Sequence, residues 1–319
     1  YGGAYFSIKE CVHTGFNPFQ IGNSDGLELV SFLQAWVKRL AVTNEGLPPT
    51  DREAMYIDSA VESVMALPLP MRRFSVLLQD ISRDTELGAR LSKWCDGGAL
   101  SWAVDSSENI FNPYNAKIVG FDTTVILESV NGRDHPACEA ILSVLFFYKN
   151  RMQRDGSLML TIIEEFWKPC NVPMTQEMIK DALKAGRMKG EMIWLTSQSP
   201  EDAINCAIFK AIVEQTSTKI CLPNPDAEYE SYSRIGLTSK EFSVLKGLGR
   251  ESRTMLIKQS GGGAGSSVFA KLDLYGFDSF LPILSGTKEG IVLAEKIIDQ
   301  YGDNPNDWIP PFLEAVKNI

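Results

Sequence analysis

Leu158-Met-Leu-Thr-Ile-Ile-Glu164-Glu165-Phe-Trp167 is the stretch on which the reading of this 319-residue chain turns. Residues 157–163 form a continuous apolar run of strand length, and two adjacent acids follow it directly. Downstream the pattern repeats: a helix over 175–185, a strand over 191–196, a helix over 200–214 with Ser199 as its cap, and a third strand over 218–222. Strands apolar on both faces, alternating with helices, predict a parallel sheet covered on both sides. The second half of the chain is therefore expected to be α/β.

In open parallel sheets, ligands bind beyond the carboxyl ends of the strands, so the first polar residues after each strand are the candidates for chemistry. Glu164 and Glu165 have the form of a Walker B element, in which one carboxylate holds hydrated Mg²⁺ and the next orients the attacking water. Solvated charges at a strand end give the same pattern. Trp167, immediately after them, reads as a packing residue. The second strand runs into Ser197-Gln198-Ser199, where an ordinary turn accounts for Ser199-Pro200 but does not ask for Gln198. A neutral amide there is placed to contact a γ-phosphate or the attacking water. The third strand ends at Leu222-Pro-Asn-Pro225, which needs nothing beyond a turn.

Upstream, residues 1–20 read as a short strand and a loop closed by a Pro-fixed turn. From 26 to about 94 the periodicity is helical: Leu27, Val30, Phe32, Leu33, Trp36, Val37 and Leu40 recur at three- and four-residue spacing. A second helix starts after Thr50 as N-cap, and shorter helices are expected near 72–78 and 85–94. After Gly97-Gly98 come β-like pieces at 118–121 and 123–127, then an apolar helix over 136–151. Toward the C-terminus, Thr238-Ser-Lys-Glu241 is a capping box opening a helix to about 248. Residues 254–258 and 267–274 flank Gly261–Gly265 as a loose hairpin, and a further helix covers 288–301.

The basic segment from Lys240 to Lys258 reads either as a solvated face or as the source of an arginine finger, Arg250 or Arg253, reaching a neighbour's phosphate. The Gly-rich run 259–267 is no phosphate loop, because it lacks the lysine and does not join a strand to a helix. No G-x-x-x-x-G-K-[ST] and no Gly-Lys dipeptide occurs in the chain. The chain alone is therefore expected not to hydrolyse ATP.

The net charge of −9, from 31 basic and 40 acidic residues, argues against a surface that coats nucleic acid. Six scattered cysteines without a C-x-x-C pair, and only two histidines, disfavour zinc and histidine-dependent catalysis. The cysteines read as reduced core residues. The longest apolar stretch, Ile141 to Tyr148, is far shorter than the roughly 20 residues that span a bilayer.

Taken in order, Tyr1-Gly-Gly-Ala-Tyr-Phe, Phe16-Asn-Pro-Phe19, Ile163-Glu-Glu-Phe-Trp167, Thr196-Ser-Gln-Ser-Pro200, Lys219-Ile-Cys-Leu-Pro-Asn224, Arg253-Thr-Met-Leu-Ile-Lys-Gln259 and Ala270-Lys-Leu-Asp-Leu274 are more specific than any one motif. Over nearly the whole chain this order resembles the C-terminal motor domain of the large ATPases of bacterial type IV secretion and conjugation machines, the CagE/TrbE/TrwK type. The resemblance implies a RecA-like, mostly parallel core of the HerA/FtsK kind with an all-α insertion: residues 1–20 as the edge of the core, 21–97 as the insertion, 98–319 as the ATPase core with its hairpin and last helices. It further implies ATP and Mg²⁺ as ligands and assembly as a hexamer or dimer. The place would be the cytoplasmic face of the bacterial inner membrane, held through other type IV secretion ATPases and inner-membrane core components, with DNA or protein as cargo.

By position, the resemblance makes Glu164 the Mg²⁺ carboxylate, where the family more often has Asp, and Glu165 the catalytic carboxylate. It makes Gln198 the sensor and Arg250 and Arg253 the finger candidates, with Lys258 and Gln259 near the nucleotide. The family's Walker A segment lies just before the Gly-Gly-Ala-Tyr-Phe strand, so its absence reads as truncation. A non-hydrolysing assembly scaffold and a HerA-type DNA pump are the alternatives.

Overall fold

A computed structural model of the chain describes residues 3–22, 26–112, 116–128, 134–153, 157–260, 266–277, 280–284 and 286–317. The chain divides into two units between Thr216 and Ser217.

In the first unit, aromatic side chains from distant parts of the sequence converge on Trp36, which is fully buried on the helix Gly26–Leu40. Phe74 packs edge-on to it at 5.7 Å and Phe19 at 6.4 Å, while Phe32 stacks on Phe147 at 4.1 Å. The Trp36 indole also donates to the carbonyl of Ala140, 3.1 Å away in the helix Cys138–Met152. One core therefore unites the helical stretch after residue 26 with this later helix and with the loop at Phe16 and Phe19. The expected helix after Thr50 runs over Asp51–Ala66 and opens with a full capping box between Thr50 and Glu53. The stretch near 74 is a tighter 3₁₀ helix, Phe74–Gln79. Strand β1, Ala4–Ser7, pairs in parallel with β2, Val119–Asp122.

Residues 123–127, expected as a β-like piece, instead form the helical turn Thr124–Leu127. Asp122 Oδ1 accepts the Thr124 N–H at 3.0 Å and starts the turn, a local hydrogen bond that outweighs β propensity.

Strands β3, Met159–Ile163, and β4, Glu191–Leu195, pair in parallel with Ile163 opposite Leu195. The helix Pro173–Lys189 connects them and ends at Gly190, whose left-handed φ of +76° lets the chain reverse straight into β4. Ile163 and Leu195 pack on a core of Phe166, Cys170, Ile179 and Ile212. The opposite face is open: Leu160, Ile162, Met192 and Trp194 are 51–58% exposed. The expected cover on both sides is thus present on one side only among the described residues. The helix expected over 200–214 is two short ones, Pro200–Ile204 and Phe209–Gln215, and the Ser199 side chain makes no capping bond.

The third strand is a further correction. β5, Thr218–Cys221, does not extend the parallel sheet; it belongs to the second unit and pairs antiparallel with β6, Thr254–Gln259, which pairs antiparallel with β7, Ser266–Lys271. An apolar run reports burial and not strand direction, so the sequence pattern could not tell these apart. The hairpin β6–β7 is as expected, while its Gly261–Gly265 link lies outside the described residues. The helix Ser239–Gly247 opens with the capping box of Thr238 and Glu241, and its Phe242 and Leu245 pack with the fully buried Leu256 of β6. The helices Lys288–Tyr301 and Pro305–Val316 close the unit. No helix among the described residues is long and apolar enough to cross a membrane.

Emptying the aromatic core should be costly. Trp36→Ala is expected to lower the stability of the first unit by about 3–5 kcal/mol, and Leu27→Ala, on the 89% exposed face of the same helix, by less than about 0.5 kcal/mol. Urea unfolding of the two variants against the parent checks this.

Candidate active site

The register of β3 and β4 sets the site. Thr196 N–H donates to Ile163 O at 3.0 Å, and Phe166 N–H donates back to Thr196 O at 3.3 Å, so the turn after β3 is stitched to the end of β4. Phe166 and Cys170 are buried, which anchors the turn from below. Between these anchors Glu165 takes a left-handed φ of +46°. That conformation is uncommon for a side chain with a Cβ, and such residues cluster at functional sites.

The consequence is a carboxylate with both oxygens held. Gln198 Nε2 donates to Glu165 Oε1 at 2.9 Å, and Trp167 Nε1 donates to Glu165 Oε2 at 2.8 Å. Two candidates chosen on separate strands are thereby in direct contact. Trp167, read from sequence as a packing residue, is also a hydrogen-bond donor to the candidate base. No sequence signal marked it, because the contact depends on the left-handed backbone that Glu165 adopts in the fold. The Lys168 ammonium lies 4.6 Å from the centre of the Trp167 ring. Ser197 donates its hydroxyl to Asp202, which ties the loop to the first turn of the next helix.

Glu164 precedes this cluster and faces solvent. Among the described residues no hydrogen bond or ion pair holds its carboxylate, and no group of three or more His, Cys, Asp or Glu is arranged to hold a metal by itself. An exposed, uncommitted carboxylate fits Mg²⁺, which takes one or two protein carboxylates and fills its remaining positions with water and substrate phosphate oxygens.

Arg250, Arg253, Lys258 and Gln259 lie in the second unit. Arg250 opens the 3₁₀ turn Arg250–Ser252. Arg253 follows with a left-handed φ of +51° and an exposed side chain, and its carbonyl accepts the Leu272 N–H at 2.8 Å. It borders a cleft with Leu222, Pro223, Met255 and Leu272. Lys258 is largely buried in an ion pair with Glu241, 2.8 Å away. Gln259, the last residue of β6, is exposed.

No protein-family model matches the chain. Over 325 residues it is 33% identical to the type IV secretion system protein VirB4 of Bartonella quintana, an alignment that covers 99% of the chain and 39% of that protein. Over nearly its whole length the chain is similar to the VirB4 proteins of type IV secretion systems. VirB4 of Brucella abortus is 30% identical over 330 residues, covering 99% of the chain and 38% of the relative. The type IV secretion system protein PtlC of Bordetella pertussis is 29% identical over 322 residues, covering 97% of the chain and 38% of the relative. The chain thus spans about two fifths of the length of these VirB4-type relatives. The solved structure of VirB4 of Thermoanaerobacter pseudethanolicus shares the fold, with a TM-score of 0.64 at 16% identity over 86% of this chain and 78% of that one.

The Lys258 pair carries a pH signature. Burial alone would raise the Glu241 carboxyl, but Lys258, the Thr238 N–H and hydroxyl, and Ser267 together hold it down at about 2. A depressed carboxylate stabilises the fold above its ordinary value of 4.5 and loses that contribution as pH falls toward about 2. The thermal midpoint of the second unit is expected to drop through that window, and Lys258→Met should lower it at neutral pH and flatten the drop.

Proposed function

We propose that this chain is the C-terminal ATPase core of a type IV secretion motor, which spends ATP hydrolysis on assembling the apparatus and moving DNA or protein through it. The observation that carries the reading is the contact between Glu165 and Gln198 at the carboxyl ends of two parallel strands, where an α/β sheet presents its ligand site. The similarity to VirB4 and PtlC proteins over almost the whole chain supports it.

In this reading the fold is RecA-like, with residues 21–97 as the helical insertion in a core formed by 1–20 and 98–319. Glu165 accepts the proton of the attacking water, and Gln198 reports the γ-phosphate. Glu164 would hold Mg²⁺, and when bound the ion neutralises charge on the β- and γ-phosphate oxygens. Arg253, exposed on its left-handed turn, is suited to reach a nucleotide held by a neighbouring subunit of a hexamer or dimer, and Arg250 is the second candidate for that role. Gln259 is accessible for nucleotide contact. Lys258 serves there only by leaving Glu241. The motor would act at the cytoplasmic face of the inner membrane, held by the other ATPases and core components of the machine.

The test is ATP turnover by the full-length gene product. Glu165→Gln is expected to cut Mg²⁺-dependent turnover by about 100-fold or more while ATP binding stays at the parent level. Turnover at the parent rate in that variant would overturn the assignment.

A further inference from the structure

The two donors on Glu165 are not equivalent. Trp167 opens a short helix whose Pro169 and Cys170 are buried, and its ring packs against the core beneath the sheet. Lys168 lies over that ring and pins it further. An indole N–H is a donor only and keeps its proton at every working pH. Gln198 stands on an exposed loop, and among the described residues its amide has Glu165 as its hydrogen-bond partner. One donor is fixed by the core and the other is free to turn away.

We propose that Trp167 is a positioning residue that holds Oε2 of Glu165 throughout the cycle, while Gln198 is the exchangeable occupant of Oε1 and vacates it for the attacking water. The proposal rests on the reading of Glu165 as the base and says how that base is aimed and released. With Oε2 held, the carboxylate cannot rotate about its last bond, and its other oxygen points where Gln198 had been. When the Gln198 amide turns to the γ-phosphate, Oε1 is open. The water oxygen then bonds to the γ-phosphorus, its proton passes to Oε1, and the bond from that phosphorus to the bridging oxygen breaks. ADP leaves with that electron pair. In the resting state each oxygen carries one donor, and an attacking water competes with Gln198 for Oε1 until the phosphate draws the amide off.

The left-handed backbone at Glu165 supports this division of roles. A φ of +46° at a glutamate is disfavoured, and here it goes with a contact between side chains only two residues apart, the indole of Trp167 and the carboxylate of Glu165. Charge-assisted hydrogen bonds of this kind are about twice as strong as neutral ones.

The test replaces Trp167 in the full-length protein by benzothienylalanine, which keeps the bicyclic shape and lacks the N–H, and separately makes Trp167→Phe and Glu165→Gln. Loss of the donor is expected to lower kcat by about tenfold or more, with KM for ATP and the thermal midpoint at parent values in the benzothienylalanine protein. Parent kcat in that protein, beside an inactive Glu165→Gln, would overturn the role of Trp167 and leave Glu165 as the base. A rise in KM equal to the fall in kcat/KM, with kcat unchanged, would also overturn it, since it would reveal a contact to bound nucleotide and not to the base. Parent turnover in Glu165→Gln would remove both readings together.

Discussion

The parallel pairing of β3 with β4 is the constraint from which the site follows. With Ile163 opposite Leu195, the two chains leave the sheet side by side, and the Thr196 and Phe166 backbone bonds carry the pairing one step past the strands. A carboxylate and an amide separated by 33 positions in sequence are thereby brought within 2.9 Å. A slip of β4 by one residue would turn Leu195 out of the core and Trp194 into it, because side chains alternate along a strand. The apolar packing beneath the sheet therefore guards the register, and the register guards the chemistry.

The opposite end of the same strand pair is occupied by structure alone. Glu191, which opens β4, is buried, accepts the Thr161 hydroxyl at 2.8 Å, and has the Lys149 ammonium 2.5 Å away. Burial pushes Lys149 down from its ordinary value, and Glu191 works against that shift. Lys149 belongs to the helix Cys138–Met152, whose other residues meet Trp36 and Phe32. The ion pair thus connects the aromatic core to the sheet, so the helical part and the strands of the first unit are held as one body.

Backbone conformation marks the candidates as well. Among the described residues the non-glycine positions with positive φ are Cys11, Glu165 and Arg253. Two of these, Glu165 and Arg253, are candidate site residues. Each follows directly on, or leads directly into, a short strand or turn, where the chain must change direction within one residue. The fold holds these side chains out of regular structure, and neighbouring hydrogen bonds compensate the backbone cost.

Local chemistry was legible in the sequence. The capping boxes at Thr50 and Thr238, the helical stripe through Trp36, the strands 159–163 and 191–195 and the hairpin of β6 and β7 depend on neighbours a few residues away, and each formed where its pattern predicted. Glu165 and Gln198 were visible as polar residues at strand ends. What the sequence could not decide was partnership over distance. The apolar run 218–222 reads the same whether it joins a parallel sheet or an antiparallel one, and Trp167 reads as packing until the turn at Glu165 swings its indole onto a carboxylate. Periodicity records how much of a side chain is buried. Strand direction, the open face of Leu160 and Trp194, and the hand-off between two donors on one carboxylate depend on which segments meet in space, and only the folded chain settles that.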